Sequence, residues 1–324
     1  MHKKIIAWLH LWLGLVSGII VVILGVTGCI LVFEHEIKSL IHPWRHAAAP
    51  ANAEQLPPSV LYQNVSKAMP GKEIVSVWYH GEGRTAHLRL EGSDSLVYVN
   101  PYTAEISAIV DHEDIFHEVL DGHIYLWLPH DIGHAVTAWG TLIFFVLLVT
   151  GIVLWWPKRW NRANVNKSFK IKWKARFKRL NHDLHNVLGF YSLIVAAVLA
   201  FTALIMSFAW FAKGVYWVSS GGGDRPPYTR ALSDTTRLYA VAAMENVDKA
   251  WRKGYSELAV YNKDEMIVSF PKKPSDAIYI CTDMTGGTWR DIYLDQHTLE
   301  VLPGSAASLS SLSLADLIMR SNYG

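Results

Sequence analysis

The chain has 324 residues, 51% hydrophobic and 18% charged, with a formal net charge of +2. It is too polar to consist of membrane helices alone and too apolar to be only a water-soluble domain. Its two cysteines, Cys29 in an apolar run and Cys281 far from it, argue against an internal disulfide.

Three uncharged runs, Leu11–Phe33, Ala135–Trp156 and Val187–Ala212, each exceed the ~20 residues that cross a bilayer as a helix. They define spans over 1–33, 131–156 and 184–212. The first is too long for a signal-peptide core and is read as a retained anchor. Residues 34–130 are polar: a helix is expected over Ser59–Met69, then strands over Ile74–Trp78 and Thr85–Leu90 and a strand–turn–strand over Val97–Ile106. After the second span, 157–183 is a basic loop, with ten Lys or Arg and no Asp or Glu between Lys158 and Arg179. With Lys3 and Lys4, it places the N-terminus and this loop in the cytoplasm, where the loop reads as a topology signal and anionic-lipid contact. Gly221-Gly222-Gly223 is an exit loop after the third span. Residues 213–324 repeat the polar pattern: a helix over Thr235–Lys253, strands over Leu258–Tyr261 and Met266–Phe270, and Ile292–Val301 matching Val97–Ile106. Trp8, Trp155, Trp156, Trp160, Trp210 and Trp217 near span ends read as interfacial anchors.

The predicted fold is therefore a membrane α-helical bundle with two outer, periplasmic α+β domains, 34–130 and 213–324. The span–outer domain order repeats, which predicts a fourth span starting about where the sequence stops at Gly324.

A second repeat lies inside the spans. His10 is followed by Gly14, Thr27 and Phe33, and His185 by Gly189, Thr202 and Phe208, at the same offsets of four, seventeen and twenty-three. Ionisable rings in lipid are functional candidates, and two neutral imidazoles facing each other across a bundle suit a metal, foremost haem iron. Gly14 and Gly189, one turn on, leave room for a flat macrocycle. A single histidine at a membrane edge reads as a headgroup contact; the repeated His-x3-Gly favours ligation. His182 is an alternative ligand without a counterpart, since Ala7 stands at the equivalent place. At the outer end, His35, His117, His123, His130 and His134 cluster around the first two spans, ~37 Å of helix from His10 in the case of His35. A second haem there would draw on His123, with His134 behind it. His2, His42, His46, His80, His87, His112 and His297 read as solvated surface residues. No Cys-x-x-Cys-His, phosphate-binding loop, dinucleotide fingerprint, His-Glu-x-x-His or Gly-x-Ser-x-Gly occurs.

His10-Leu11-Trp12-Leu13-Gly14, Thr27-Gly28, Phe33 and Glu36, with Thr150-Gly151, Trp155-Trp156-Pro157-Lys158 and Leu184-His185-Asn186-Val187-Leu188-Gly189, carry a resemblance. The chain resembles the PepSY-associated transmembrane family of bacterial inner-membrane proteins, and its outer segments resemble PepSY domains. The resemblance implies four spans, periplasmic PepSY-like domains and a ferric-siderophore reductase containing one or two b-type haems. His10 and His185 match the inner histidines and His123 the histidine before the second span, as axial ligands of haem iron; His134 is less typical. The family's further His-x-Gly before a fourth span has no match here. The expected function is electron transfer from a cytoplasmic or quinol donor to a periplasmic Fe(III) chelate, releasing Fe(II), with membrane lipids as surroundings and no nucleic acid as partner. The competing readings are a non-enzymatic module that binds or restrains peptidases, and a haem or iron transporter subunit, against which the spans show no charged pathway.

Overall fold

A computed structural model describes residues 2–50, 53–111, 114–157, 159–227, 229–236, 240–284 and 289–323. His112, Lys158, residues 237–239 of the helix expected from Thr235, and Gly324 lie outside them. In chain order the elements are α1 (His2–Val32), α2 (Glu34–Ile41), a 3-10 turn (Pro43–Arg45), α3 (Pro58–Ala68), β1 (Ile74–Tyr79), β2 (Ala86–Leu90), β3 (Ser95–Val99) and β4 (Ile106–Asp111). There follow α4 (Ile115–Tyr125), α5 (His130–Trp155), α6 (Arg162–Phe169), α7 (Phe177–Ser207), α8 (Ala209–Ser219), α9 (Met244–Leu258), β5 (Met266–Ser269), β6 (Ile278–Thr282), β7 (Arg290–Leu294), a second 3-10 turn (Leu309–Ser311) and α10 (Leu314–Tyr323). Two units emerge: a helical one, up to Val32 and Glu118–Val215, and a sheet one, Phe33–His117 and from Tyr216 on.

In the helical unit, Lys3–Val32, His130–Trp155 and Phe177–Ser207 are long and apolar enough to cross a membrane. A helix satisfies every backbone polar group within itself, as hydrocarbon demands. Helix α5 packs against both α1 and α7, and small residues allow the approach. A Cβ at Gly140 would meet Ile20 at 3.0 Å, and Ser17 and Ala138 are buried. Pro129 precedes the first residue of α5, and the helix ends before Pro157, since the residue ahead of a proline is driven out of the helical region. The third span starts earlier than Val187 and stops at Ser207. Phe208 is extended (φ −126°, ψ 111°), and the apolar run to Ala212 continues as the separate helix α8.

The sheet unit departs from the expected pair of domains. Its strands form a single sheet in the order β4-β3-β2-β1-β5-β6-β7, with β1 antiparallel to β5. Each half alone would leave the edge of β1 or β5 open; pairing them satisfies both rows of backbone groups. The halves also exchange side-chain contacts. Asp248 of α9 accepts the Ser59 backbone N–H at 2.9 Å and its hydroxyl at 2.6 Å, capping α3 where Pro57 and Pro58 cannot. Tyr255 and Tyr261 both donate to Gln55, at 3.3 and 3.0 Å.

The internal repeat is real at the level of the turns. Asn100 accepts the Tyr102 N–H through its side chain, as Asp295 does that of His297, both at 2.9 Å. Ala104 and Leu299 take matching positive φ values, 62° and 59°. One sheet face carries Val77, Leu88, Val97 and Val268, all fully buried beside Leu61 of α3 and Val247 and Trp251 of α9. Period-two alternation sends Trp78, His87 and Tyr98 to the other face. The expected strand Leu258–Tyr261 is absent: Leu258 is the buried last residue of α9, and the chain turns through Asn262 at φ 63°.

Candidate functional site

His10 on α1 and His185 on α7 face each other, ring centroids 6.2 Å apart and planes at 70°. Both line a cavity of about 440 Å³ in the helical unit, within the ~300–1,000 Å³ usual for cofactor sites. Gly14, Gly18, Gly151 and Gly189 open its walls, and Trp155 stacked on Phe190 at 3.9 Å closes part of it. A Cβ at Gly189 would meet no atom within 4 Å, and one at Gly14 only Leu147 at 3.9 Å.

The hydrogen bonding selects one nitrogen of His10. The Thr150 hydroxyl on α5 donates back to the carbonyl of Val146 (3.0 Å) or Leu147 (3.2 Å). Its oxygen therefore accepts from His10 Nδ1–H at 2.9 Å. That leaves Nε2 unprotonated, the arrangement in which a ring is steered as a metal ligand. Two imidazoles each holding one ion in line at about 2.0–2.1 Å have centroids roughly 6 Å apart, so the observed spacing fits a shared metal. The wide cavity beside it, edged by glycines, fits a planar macrocycle. His185 has no steering hydrogen bond among the described residues. His182 lines the same cavity but lies near Asp183, at 3.6 Å.

Asp183 was not signalled by any motif. It is fully buried, pairs with Arg179 at 2.8 Å and accepts the Lys172 backbone N–H at 3.4 Å. The carboxylate ties the basic loop to α7, two residues before His185.

His123 has a seat built on the same plan. The Thr27 hydroxyl of α1 donates to the Ile23 carbonyl at 2.7 Å and accepts from His123 Nδ1–H at 2.9 Å. The next residue is again glycine: a Cβ at Gly28 would lie 3.1 Å from His123 Cε1, and one at Gly151 3.5 Å from His10 Cε1. Each Thr-Gly pair thus holds a histidine from another helix, α5 holding His10 and α1 holding His123. The repeated dipeptide is the sequence signal for this role. Thr202, the repeat partner of Thr27, bonds its own helix alone among the described residues, to the Leu199 carbonyl at 2.9 Å. The α4–α5 turn that delivers His123 depends on glycine: a Cβ at Gly122 would strike the Trp127 ring at 2.2 Å, and one at Gly133 the Tyr125 carbonyl oxygen at 2.2 Å.

The other sequence candidates do not join these seats. His134 is exposed on the first turn of α5, and His130 is exposed against Tyr125 and Asp131. Among the described residues no group of three or more His, Cys, Asp or Glu is arranged to hold a metal, so the two-histidine geometry is the candidate centre. His35, expected in the outer cluster, lies in the sheet unit partly buried with His42, His80 and His87, three residues expected to be solvated.

No curated protein matches the chain. A family model, the PepSY-associated TM region, matches residues 7–251, a stretch that contains the first span from Ala7 on, the second and third spans, both Thr-Gly pairs and the three seated or facing histidines. The chain is a membrane protein that belongs to this family.

Proposed function

We propose that the protein is a haem b electron carrier of the bacterial inner membrane that reduces a periplasmic Fe(III) chelate, such as a ferric siderophore, and so releases Fe(II). The observation that carries this reading is the His10–His185 pair, 6.2 Å apart across a glycine-edged cavity, with His10 Nδ1 engaged by Thr150. When bound, haem iron supplies the one-electron chemistry. The chain's own part is to hold and shield. His10 and His185 offer one nitrogen each, Thr150 fixes the His10 tautomer, and Gly14 and Gly189 leave space for the ring system. Trp155 and Phe190 exclude water from one wall.

His123 in its Thr27-Gly28 seat is the corresponding candidate for a second haem, with His134 ranked behind it. The electron donor is a cytoplasmic partner or a quinol. Iron release follows from coordination chemistry: Fe(II) binds hard oxygen donors more weakly than Fe(III). The basic loop and Lys3-Lys4 support a cytoplasmic N-terminus in contact with anionic lipid, and periplasmic placement of 34–130 and 213–324. Stopped-flow mixing of dithionite-reduced, purified protein with ferrioxamine tests the activity. Re-oxidation of b-type bands with Fe(II) appearing in step supports it; reduced protein that is indifferent to the chelate refutes it.

A further inference from the structure

The sheet unit holds a second concavity, on the face turned away from α3 and α9. Trp78, His87 and Tyr98 form one cross-strand row there. The turn after α2 lays Trp44 against Tyr98 at 4.6 Å, and His80 stacks on Trp78 at 5.0 Å. The basin between these rings is about 220 Å³. A cavity of ~150 Å³ admits benzene, so this one takes a single substituted ring. It adjoins a narrow end of about 10 Å³, room for a single oxygen atom, lined by Arg45, Arg84 and Thr85.

Three buried donors lack a partner: Arg45 Nη1 and Trp78 Nε1, on residues that line the basin, and Thr85 Oγ1, on a residue of the narrow end. Thr85 is only 1% exposed. Buried donors are rarely left unpaired, because each costs its full desolvation. Glu34, Asp111 and Asp114 line the basin as well, and each is held by a partner. Glu34 and Asp114 hold Lys38 at 2.6 and 2.7 Å, and Asp111 accepts from Ser95 at 2.6 Å. Neither Arg45 nor Arg84 forms an ion pair with a carboxylate among the described residues. Arg84 instead donates to His35 Nε2, which requires a neutral ring there. Burial, then the neighbouring His87, Arg45 and Arg84, hold His80 well below its usual titration range. Glu36 and Glu265 act on His35 in the opposite sense, more weakly than its burial and the two arginines. The narrow end thus carries two guanidinium charges amid neutral imidazoles, next to flat apolar walls.

We propose that this basin binds a small aromatic carboxylate, one anionic oxygen entering the narrow end toward Arg45, Arg84 and Thr85 and the ring lying among Trp44, Trp78 and Tyr98. The guanidinium groups give charge-assisted hydrogen bonds, and the rings give stacking that a bare anion does not use. No part of this depends on haem.

The test is calorimetric titration of the full chain in detergent with three probes: salicylate, benzyl alcohol as a ring without charge, and inorganic phosphate as charge without a ring. Salicylate is expected to bind saturably and about tenfold or more tighter than either other probe. Arg84→Gln is expected to weaken salicylate by about tenfold, with an unchanged thermal melt. Should that variant fail to fold, Trp44→Leu serves in its place and is expected to weaken salicylate more than phosphate. No saturable salicylate binding, phosphate binding as tightly as salicylate, or unchanged salicylate affinity in a folded variant overturns the proposal.

Discussion

Gly189→Ala separates a ligand cavity from a mere gap between helices. An added Cβ at Gly189 meets nothing within 4 Å, and the residue lines the 440 Å³ cavity beside His185. Without cofactor, the substitution has no atom to displace and removes the conformational freedom of glycine, so the apoprotein should melt no lower than the parent. With a macrocycle lying against that backbone, the methyl group overpacks the site. Overpacking costs about 1–3 kcal/mol, which at ~1.4 kcal/mol per decade is roughly five- to 150-fold in haem affinity. The control is Gly25→Ala on α1, where a Cβ also meets nothing within 4 Å but which does not line the cavity. The assay titrates haemin into apoprotein from a haem-deficient host, followed by absorbance, beside a thermal melt of the apoprotein. Weakened binding in Gly189→Ala with both melts unchanged supports the site. Equal haem affinity in Gly189→Ala, Gly25→Ala and parent refutes the placement of the ring system against α7.

Thr150→Val removes the acceptor for His10 Nδ1–H and keeps the shape; a lost steering bond of this kind costs about ten- to 100-fold in metal-site affinity, read by the same titration. Asp183→Asn should destabilise the chain by up to about 1 kcal/mol, since it removes an i,i+4 ion pair whose Arg179 side stands partly in solvent, measured by thermal melting in detergent. Asp248→Ala should cost about 1–2 kcal/mol by uncapping α3 across the halves of the sheet; an unchanged melt would speak against the joined sheet. His80 adds a pH dependence. Burial lowers its folded pKa below 6.5, so the unfolded chain takes up a proton that the folded chain refuses. Its contribution is complete above pH 6.5 and shrinks as pH falls through the window beneath. His80→Gln should flatten the decline in melting temperature below that pH.

The spans were legible because a membrane helix needs little more than length and apolarity, and His10 and His185 because an exact spacing recurs around them. The turns at Asn100 and Asp295 were legible for a similar reason: each is closed by its own side chain, which is local information. Partnership between distant segments was not. Nothing near β1 in sequence announces that its neighbour is β5, since strand order follows from closing two open edges. His80 and His87 looked like solvated residues because they alternate with Tyr79, Ala86 and Leu88. The same alternation serves equally when the second face is covered, here with Trp44 laid over it. Thr27 and Thr150 carried the signal for the histidine seats, but a Thr-Gly pair in a span also fits helix packing, and only the histidine opposite gives it a role.

The most direct test of the account is the reduced-minus-oxidised absorption spectrum of the purified full chain, parent beside His10→Ala and His185→Ala. The parent should show b-type bands, lost or strongly diminished in both variants while folding is retained. No b-type bands in haem-replete parent, or bands unchanged in both variants, would contradict it.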